Sequence, residues 1–171
     1  DISVGSVMSL SACFCCMLLA GFGVSNTSTL VVPMAVGIFG GILIGGVSGV
    51  FNGTLVSKLK IQPMVATLIL FTAARAIGLL LNNNQITYIR YEPYKFVGNF
   101  IPGCPIPTPI IVTVVVIVIA AIVLKKTSLG LYIQSVGINN RAARLLGINS
   151  DLICFLCYVV CGLCAGIAGI V

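Results

Sequence analysis

Histidine and tryptophan are absent from this chain, and acidic residues number only three. Without histidine, the chain lacks the commonest metal ligand and the commonest general base. The three carboxylates, Asp1, Glu92 and Asp151, are far apart in sequence, and no glycine-rich loop ends in the Lys-Ser/Thr of a phosphate-binding loop. These absences argue against an enzyme, and we expect no cofactor and no metal.

Charge of either sign is scarce. Charged residues make up 7% of the chain and hydrophobic residues 59%, whereas a soluble domain is about a quarter charged. The apolar residues form continuous runs, which indicates spanning helices and a lipid bilayer as surroundings. The net charge of +6 does not predict nucleic-acid binding, because no soluble domain is present to carry a basic face. We therefore expect an all-α, polytopic membrane protein.

Five apolar stretches approach the roughly 20 residues that a helix needs to cross a bilayer. They are residues 1–21, Pro33–Val56, Pro63–Leu81, Ile106–Leu124 and Leu152–Val171. We expect Asp1 and Ser3 to cap the first helix and Asp151 to cap the last. The chain starts without methionine and ends inside an apolar run, so we expect residues 1–171 to be part of one transmembrane domain with helices missing on both sides.

The basic residues predict the orientation. Six of the nine Lys and Arg residues lie in two polar stretches, the turn 57–62 and the interval Lys125–Asp151. They are Lys58, Lys60, Lys125, Lys126, Arg141 and Arg144. Because basic loops stay in the cytoplasm, we place Lys125–Asp151 inside the cell and Asn82–Pro109 outside. The outer stretch is rich in proline, which favours extended chain, and its tyrosines, including Tyr94, suit the headgroup level.

Small residues line two of the predicted spans. Glycine recurs every fourth residue in the second span, at Gly37, Gly41, Gly45, Gly49 and Gly53, and the last span holds Gly162 and Gly166. Such spacing lets the backbone of a neighbouring helix approach closely. We predict helix packing at both sets, and a sliding interface would need the same smooth surface.

Cysteine is the most abundant potential metal ligand, with eight residues against three carboxylates and no histidine. Cys154, Cys157, Cys161 and Cys164 lie in the last span, but on a continuous helix the outer two are about 15 Å apart. Four thiolates spaced in this way cannot converge on one ion, so we predict packing roles. Cys104 lies alone in the outer loop.

Polar residues inside the apolar runs are candidates for a translocation path. They are Asp1, Ser3, Asn52, Thr67, Thr72 and Arg75. A charged side chain within a span usually faces a cavity or a partner. Arg75 lies past the middle of its span, so it could instead extend to the outer headgroups.

The interval Lys125–Asp151 is the longest polar stretch, and we predict a short helix within it. Asn139 is a good N-cap, Asn140–Leu146 follows, and Gly147 is a stop signal. Arg141 and Arg144 would share one face. The residues leave two interpretations open, a basic loop that only sets orientation or a helix that docks a cytosolic partner.

Three motifs together resemble the permease subunits of bacterial ABC importers, in the branch for ribose-, xylose- and galactose-type sugars. They are Asp1-Ile-Ser-Val-Gly-Ser6, Asn52-Gly-Thr-Leu-Val-Ser-Lys-Leu-Lys-Ile-Gln-Pro-Met-Val-Ala-Thr-Leu68, and Thr127-Ser-Leu-Gly-Leu-Tyr132 followed by Gly137-Ile-Asn-Asn-Arg-Ala-Ala-Arg-Leu-Leu-Gly-Ile148. The third is the most specific. Family members are roughly twice as long. The chain departs from the family pattern at Ile138 and Ala76, where the family has glycine.

This resemblance implies a multi-pass protein of the bacterial inner membrane with one cytoplasmic coupling helix. The coupling residues it implies are Gly137, Asn139, Asn140, Arg141, Ala142, Arg144, Leu145 and Gly147. The implied partners are a cytosolic ABC ATPase, a second permease subunit in a homodimer, and an extracytoplasmic sugar-binding protein.

Two alternatives stay open. The cargo could be a branched-chain amino acid, whose charged groups would need partners such as Asp1 and Arg75. The chain could also be a helical membrane scaffold that transports nothing, and that would copurify with no ATPase.

Overall fold

A computed structural model describes residues 1–21, 26–27, 31–85, 88–89, 91–100 and 106–171. Eight helices occupy most of these residues. They are α1 (Val4–Ala20), α2 (Met34–Ser57), α3 (Pro63–Leu81), α4 (Glu92–Gly98), α5 (Thr108–Lys126), α6 (Ser128–Ile138), α7 (Asn140–Leu145) and α8 (Ser150–Ile170). Two strands of two residues each, β1 (Asn26–Thr27) and β2 (Tyr88–Ile89), pair in parallel.

The predicted spans agree with the helices to within a few residues. Four helices of the described chain, α2, α3, α5 and α8, are long and apolar enough to cross a membrane. The fifth predicted span, α1, is an apolar helix of 17 residues, which corresponds to about 25 Å. The all-α polytopic class is confirmed.

Helix α2 lies at the centre of the bundle, packed most extensively on α8 and also on α1. Helix α3 packs mainly on α1. One buried cluster joins α1, α3 and α8 through Val7, Leu10, Leu70, Ala74 and Ala165. A second joins Cys15 and Leu19 of α1 to Ile170.

Backbone contact between α2 and α8 depends on glycine. A Cβ atom at Gly45 would lie 2.6 Å from the carbonyl oxygen of Gly162 and 2.7 Å from Cα of Gly166. At Gly49 it would lie 2.5 Å from the oxygen of Tyr158. These neighbours are backbone atoms that cannot rotate away, so only glycine allows the observed approach. The hydroxyl of Ser11 in α1 lies 2.8 Å from Gly41 O and 3.0 Å from Gly166 O, which links three helices.

The other predicted packing glycines lie at the two ends of the same surface. A Cβ at Gly37 would meet the Leu19 side chain, one at Gly41 would meet Ile170, and one at Gly53 would meet Phe155. The nearest atoms belong to side chains, which can adjust more easily than backbone, although the oxygens of Ser11 and Phe155 would lie 3.2 and 3.1 Å from a Cβ at Gly41 and Gly53. The α2 glycine row therefore faces α1 at its first turns and α8 along the rest of its length.

The predicted outer stretch is not extended throughout, as the proline content had suggested. Residues 92–98 form α4, with Pro93 in the first turn, where a proline is tolerated. Pro109 lies in the first turn of α5 for the same reason. Tyr94 is partly buried against α1: its hydroxyl lies 3.8 Å from Cys15 Sγ, and burial raises the pKa of this phenol. Pro102, Cys104 and Pro105 lie outside the described residues.

The interval Lys125–Asp151 is more helical than predicted. Helix α5 continues to Lys126, and α6 fills Ser128–Ile138 before the predicted short helix begins. Thr127 is extended and separates the two helices. Gly130 makes the sharp turn possible, because a Cβ there would collide with the backbone of Leu124. Helix α5 contributes no buried residue to the bundle.

The cysteines of α8 do not form one buried cluster. Cys157 and Cys164 are exposed, whereas Cys154 and Cys161 are half-buried. Within the described part of the chain, no group of three or more His, Cys, Asp or Glu side chains could hold a metal ion. Among the cysteines of the described residues, the fully buried one is Cys15 of α1.

Candidate functional site

Helix α7 has a defined start and a defined end. The side-chain oxygen of Asn139 accepts hydrogen bonds from the backbone amides of Arg141 and Ala142, both at 3.1 Å. At the other end, the amide of Ile148 donates to Ala143 O at 3.1 Å, and Gly147 has a φ of 81°. This is the left-handed conformation that favours glycine after a helix. The predicted N-cap and stop signal occupy these positions.

We expect Asn139→Ala to loosen α7. Loss of a side-chain N-cap costs about 1 kcal/mol, and the Arg141 and Ala142 amides lose their acceptor. Hydrogen exchange at the start of α7 should accelerate about fivefold, the factor that corresponds to this energy. Asn139→Asp, which keeps an acceptor oxygen, is the matched control. Unchanged exchange in Asn139→Ala would contradict the cap's contribution.

The outer surface of α7 combines apolar and basic side chains. Leu145 is 89% exposed and Leu146 is 79% exposed, while Ala143 is buried on the inner side. Arg141 is exposed beside them. Ile138, just before the cap, is also exposed. Large apolar side chains that project from a structured helix mark an interaction surface when they are grouped in this way.

One carboxylate connects α7 to two other elements. Asp151, in the first turn of α8, accepts hydrogen bonds from Lys60 Nζ and from Arg144 Nη2, the second at 2.7 Å. Lys60 belongs to the turn between α2 and α3. Arg144 Nε also donates to Asn140 Oδ1 at 3.2 Å. Arg144 is therefore held within the chain, whereas Arg141 points outward.

The prediction that Asp151 caps α8 is wrong. Helix α8 begins at Ser150, and the cap is Asn149, whose side-chain oxygen accepts the amide of Leu152 at 3.2 Å. Asp151 lies two residues beyond the cap position, and its carboxylate accepts hydrogen bonds from the two cations. Its negative charge still lies at the helix N-terminus, where it is favourable.

Three of the predicted pathway residues, Asp1, Ser3 and Asn52, lie together where the start of α1 meets α2. Asp1 Oδ1 accepts hydrogen bonds from Ser3 N at 2.9 Å and from Ser3 Oγ at 2.6 Å. Asn52 Nδ2 donates to Ser3 Oγ at 3.1 Å, and both Ser3 and Asn52 are fully buried. Ser3 occupies the predicted N-cap position of α1, but its side chain makes no cap hydrogen bond. It joins α1 to α2 instead.

The other three predicted pathway residues lie on α3. Thr67 is buried, and its hydroxyl donates to Met64 O at 3.2 Å. Thr72 is exposed, and its hydroxyl lies 3.0 Å from Ile69 O. Arg75 is exposed on the same side of α3 as Thr72. It forms no ion pair with any residue in the described ranges.

Lys60, Asn149 and the second role of Arg144 were missed from the sequence. Lys60 is far from Arg144 in sequence, so nothing in the spacing placed them together. Asp151 itself could have indicated this contact, because it is the only acidic residue after Glu92 in a stretch of the sequence that holds several cations. A single carboxylate among so many cations is expected to attract more than one of them.

The apolar helices, the glycine-packed centre and the capped basic helix define a class, the polytopic helical membrane proteins. The chain belongs to the family described as branched-chain amino acid transport system / permease component, whose profile matches residues 1–171. The resemblance to this family noted from the sequence motifs is therefore confirmed.

Several relatives are sugar permeases by name. The galactofuranose transporter permease protein of Escherichia coli K12 is 40% identical over 176 residues, which cover 100% of this chain and 47% of the relative. The fructose import permease protein of Bifidobacterium longum is 33% identical over 175 residues, covering 99% and 46%. The ribose import permease protein of E. coli K12 is 32% identical over 174 residues, covering 100% and 51%.

The chain spans about half the length of these curated relatives. No solved structure gives a significant match to it.

Proposed function

We propose that this chain forms part of the membrane-spanning permease subunit of an ATP-driven ABC importer for a monosaccharide. The subunit is a transport component and not an enzyme, because a separate cytosolic ATPase hydrolyses the ATP. The observation that carries the proposal is the capped helix α7, which presents Leu145, Leu146 and Arg141 at the predicted cytoplasmic end of the bundle. The family and the named functions of the relatives support the same conclusion.

The proposed coupling element is α7 with its flanking residues. It comprises Gly137 at the end of α6, the cap Asn139, then Asn140, Arg141, Ala142, Arg144 and Leu145, and Gly147 after the helix. Its exposed leucines would enter an apolar groove of the ATPase, and Arg141 would pair with an acidic group at the rim. When the ATPases close on ATP, the displaced α7 would pull on α6 and α8. The α2–α8 glycine contact would then allow one helix to slide along the other.

The proposed pathway runs along the exposed side of α3. Thr72 and Arg75 are exposed in one protomer, and polar groups within a span are costly when they face lipid. A second permease subunit facing α3 would enclose them. A sugar is neutral and is bound through its hydroxyl groups, which suits Thr72 and Arg75. Asp1, Ser3, Asn52 and Thr67 lie between helices and would reach the pathway only if those helices separate.

Arg141→Glu in the full-length subunit tests the coupling assignment. Because Arg141 has no partner among the described residues, reversing its charge should leave the fold intact and should repel an acidic ATPase rim. We expect sugar uptake and transport-stimulated ATP hydrolysis to fall about tenfold, as for a charge at an interface rim. Lys125→Glu, an equal charge reversal at the end of α5, is the control. Wild-type uptake in Arg141→Glu would argue against α7 as the coupler.

Substrate competition tests the cargo. Vesicles containing the complete transporter and its binding protein are loaded with ATP, and uptake of a labelled monosaccharide is measured against excess unlabelled pentose, hexose or leucine. We expect sugars to compete and leucine to have no effect. Competition by leucine would assign the branched-chain amino acid alternative, and absence of a copurifying ATPase would favour the scaffold.

A further inference from the structure

We propose that Asp151 is a positioning residue that holds the α2–α3 turn and α7 on a single carboxylate, so that movement of α7 is passed directly to α2 and α3. We call Lys60, Arg144 and Asp151 the cytoplasmic clasp. This inference rests on the proposed function, because it concerns how a coupling helix transmits its displacement. It adds a direct connection, besides the chain itself, between α7 and helices that are distant in sequence.

On the α7 side of the clasp, the Arg144 guanidinium makes two hydrogen bonds. Arg144 Nη2 donates to Asp151 Oδ1 at 2.7 Å, and Arg144 Nε donates to Asn140 Oδ1 at 3.2 Å. Both ends of the guanidinium are therefore engaged, one within α7 and one on α8. A planar guanidinium bonded at two positions has little freedom to rotate. Displacement of α7 would carry Asp151 with it.

The α2–α3 side of the clasp is a tight turn. Backbone amides of this turn donate back to the last turn of α2: Lys58 N to Thr54 O at 3.0 Å, Leu59 N to Thr54 O at 3.2 Å and Ile61 N to Leu55 O at 3.2 Å. Lys60 has a φ of 55°, the left-handed conformation that a tight turn requires. A pull on the Lys60 ammonium therefore acts on the ends of both helices.

Helices α7 and α3 do not pack extensively on each other, so the clasp gives them a connection that helix packing does not. Helix α7 packs on α6 and, less extensively, on α8, while α3 packs mainly on α1. Along the most extensive helix contacts of the described residues, displacement of α7 reaches α3 through α8 and then through α2 or α1. Arg75 and Thr72 lie on α3, so a direct connection to α3 is a connection to the proposed pathway. The clasp shortens that mechanical route to two side-chain contacts.

The clasp contributes little to the stability of the fold. Side chains of Asp151, Lys60 and Arg144 are 44%, 55% and 50% exposed, and ion pairs with this exposure add little to stability. The bundle is held instead by the buried contacts of α2 with α8 and of α1 with α3. Loss of the clasp should therefore affect coupling while the protein still folds and assembles.

Lys60→Gln in the complete transporter tests the clasp, with Lys58→Gln as the matched control. Both substitutions remove one positive charge from the same turn, but only Lys60 bonds to Asp151. We expect Lys60→Gln to copurify with the ATPase normally and to import at least about fivefold less sugar per ATP hydrolysed, the lower range of a coupling energy. Equal sugar-to-ATP ratios in the two variants would overturn the proposal.

A double-mutant cycle separates the ion pair from effects of each residue alone. Asp151→Asn should lower the sugar-to-ATP ratio at least as much as Lys60→Gln, since it releases Arg144 as well. Adding Lys60→Gln to Asp151→Asn should cause no further loss, because the partner is already gone. Fully additive losses would show that the two residues do not act through each other.

Carbodiimide cross-linking tests the contact without any reference to transport. The reagent activates the Asp151 carboxyl, the Lys60 amine attacks it to form an amide, and the reagent takes up the released water and leaves as a urea. Mass spectrometry of membranes should find the Lys60–Asp151 link, and no link from Lys58. Absence of the link would overturn the clasp itself. If the link forms but the complex contains no ATPase, the proposed function fails instead.

Discussion

Gly45→Val should prevent stable assembly of the helix bundle. A Cβ at this position would lie 2.6 Å from the carbonyl oxygen of Gly162 and 2.9 Å from the amide nitrogen of Gly166. Both are backbone atoms of α8, so relief requires the whole helix to move away from α2, the most extensive contact in the bundle. We expect a loss of about 3 kcal/mol, the upper part of the range for overpacked interiors. Thermal unfolding of the detergent-solubilised full-length subunit measures it.

Gly5→Val is the matched control for this prediction. Gly5 lies in α1, and a Cβ there would have no heavy atom within 4 Å. Both variants replace a helical glycine by valine, so the change in helix propensity is the same in each. The difference between their unfolding temperatures therefore reports the interhelical contact alone. If both variants unfold at the same temperature, the α2–α8 approach does not limit stability.

Helices and their order were predictable from the sequence because the bilayer imposes one strong rule. A spanning segment must satisfy its own backbone hydrogen bonds, so long apolar runs must be helical. Pro33–Val56 and α2 (Met34–Ser57) differ by one residue at each end for this reason. The glycine row was visible as well, since spacing by four places residues on one helix face. Which helix it would face was not visible, because periodicity identifies a surface and not its neighbour.

The errors lie where polar residues permit several local structures. Helix α6 (Ser128–Ile138) was missed because it is uncharged, short and contains glycine and serine, which are also common in turns. Helix α4 was missed because it is only seven residues long and lies in a stretch whose later prolines favour extended chain, whereas its single proline, Pro93, lies in the first turn. The predicted side-chain caps of Ser3 and Asp151 do not form, because tertiary partners engage those side chains: Asn52 for Ser3, and Lys60 with Arg144 for Asp151.

The candidate site was predictable in its local part only. Asn139 and Gly147 follow from capping rules that act within a few residues. The cytoplasmic clasp joins residues separated by 91 positions, Lys60 and Asp151, and a single sequence carries no measure of such proximity. Arg144 therefore changes from a candidate contact with the ATPase to a residue held within the chain. Arg141, Leu145 and Leu146 remain as the outward-facing part of α7.

Leu145→Asp should uncouple the subunit from its ATPase. Leu145 is 89% exposed, so the substitution removes no buried contact from the permease and should leave its folding unchanged. In the proposed complex the same side chain fills an apolar groove, where a carboxylate would be desolvated without a partner. Truncation of a central interface anchor costs about 2 kcal/mol or more, which corresponds to at least about a thirtyfold loss of affinity. Copurification of the tagged ATPase and ATP-dependent uptake should both fall accordingly.

Leu131→Asp provides the comparison for Leu145→Asp. Leu131 lies on α6 and is 63% exposed. Its substitution by aspartate therefore introduces the same charge on a neighbouring helix, outside the α7 surface. We expect this variant to retain ATPase binding. Because the cost of desolvating a carboxylate depends on burial, a loss confined to Leu145→Asp places α7 inside the interface. Equal losses in the two variants would mean that the surface around Leu145 has no special contact, and α7 would then serve only to connect α6 with α8.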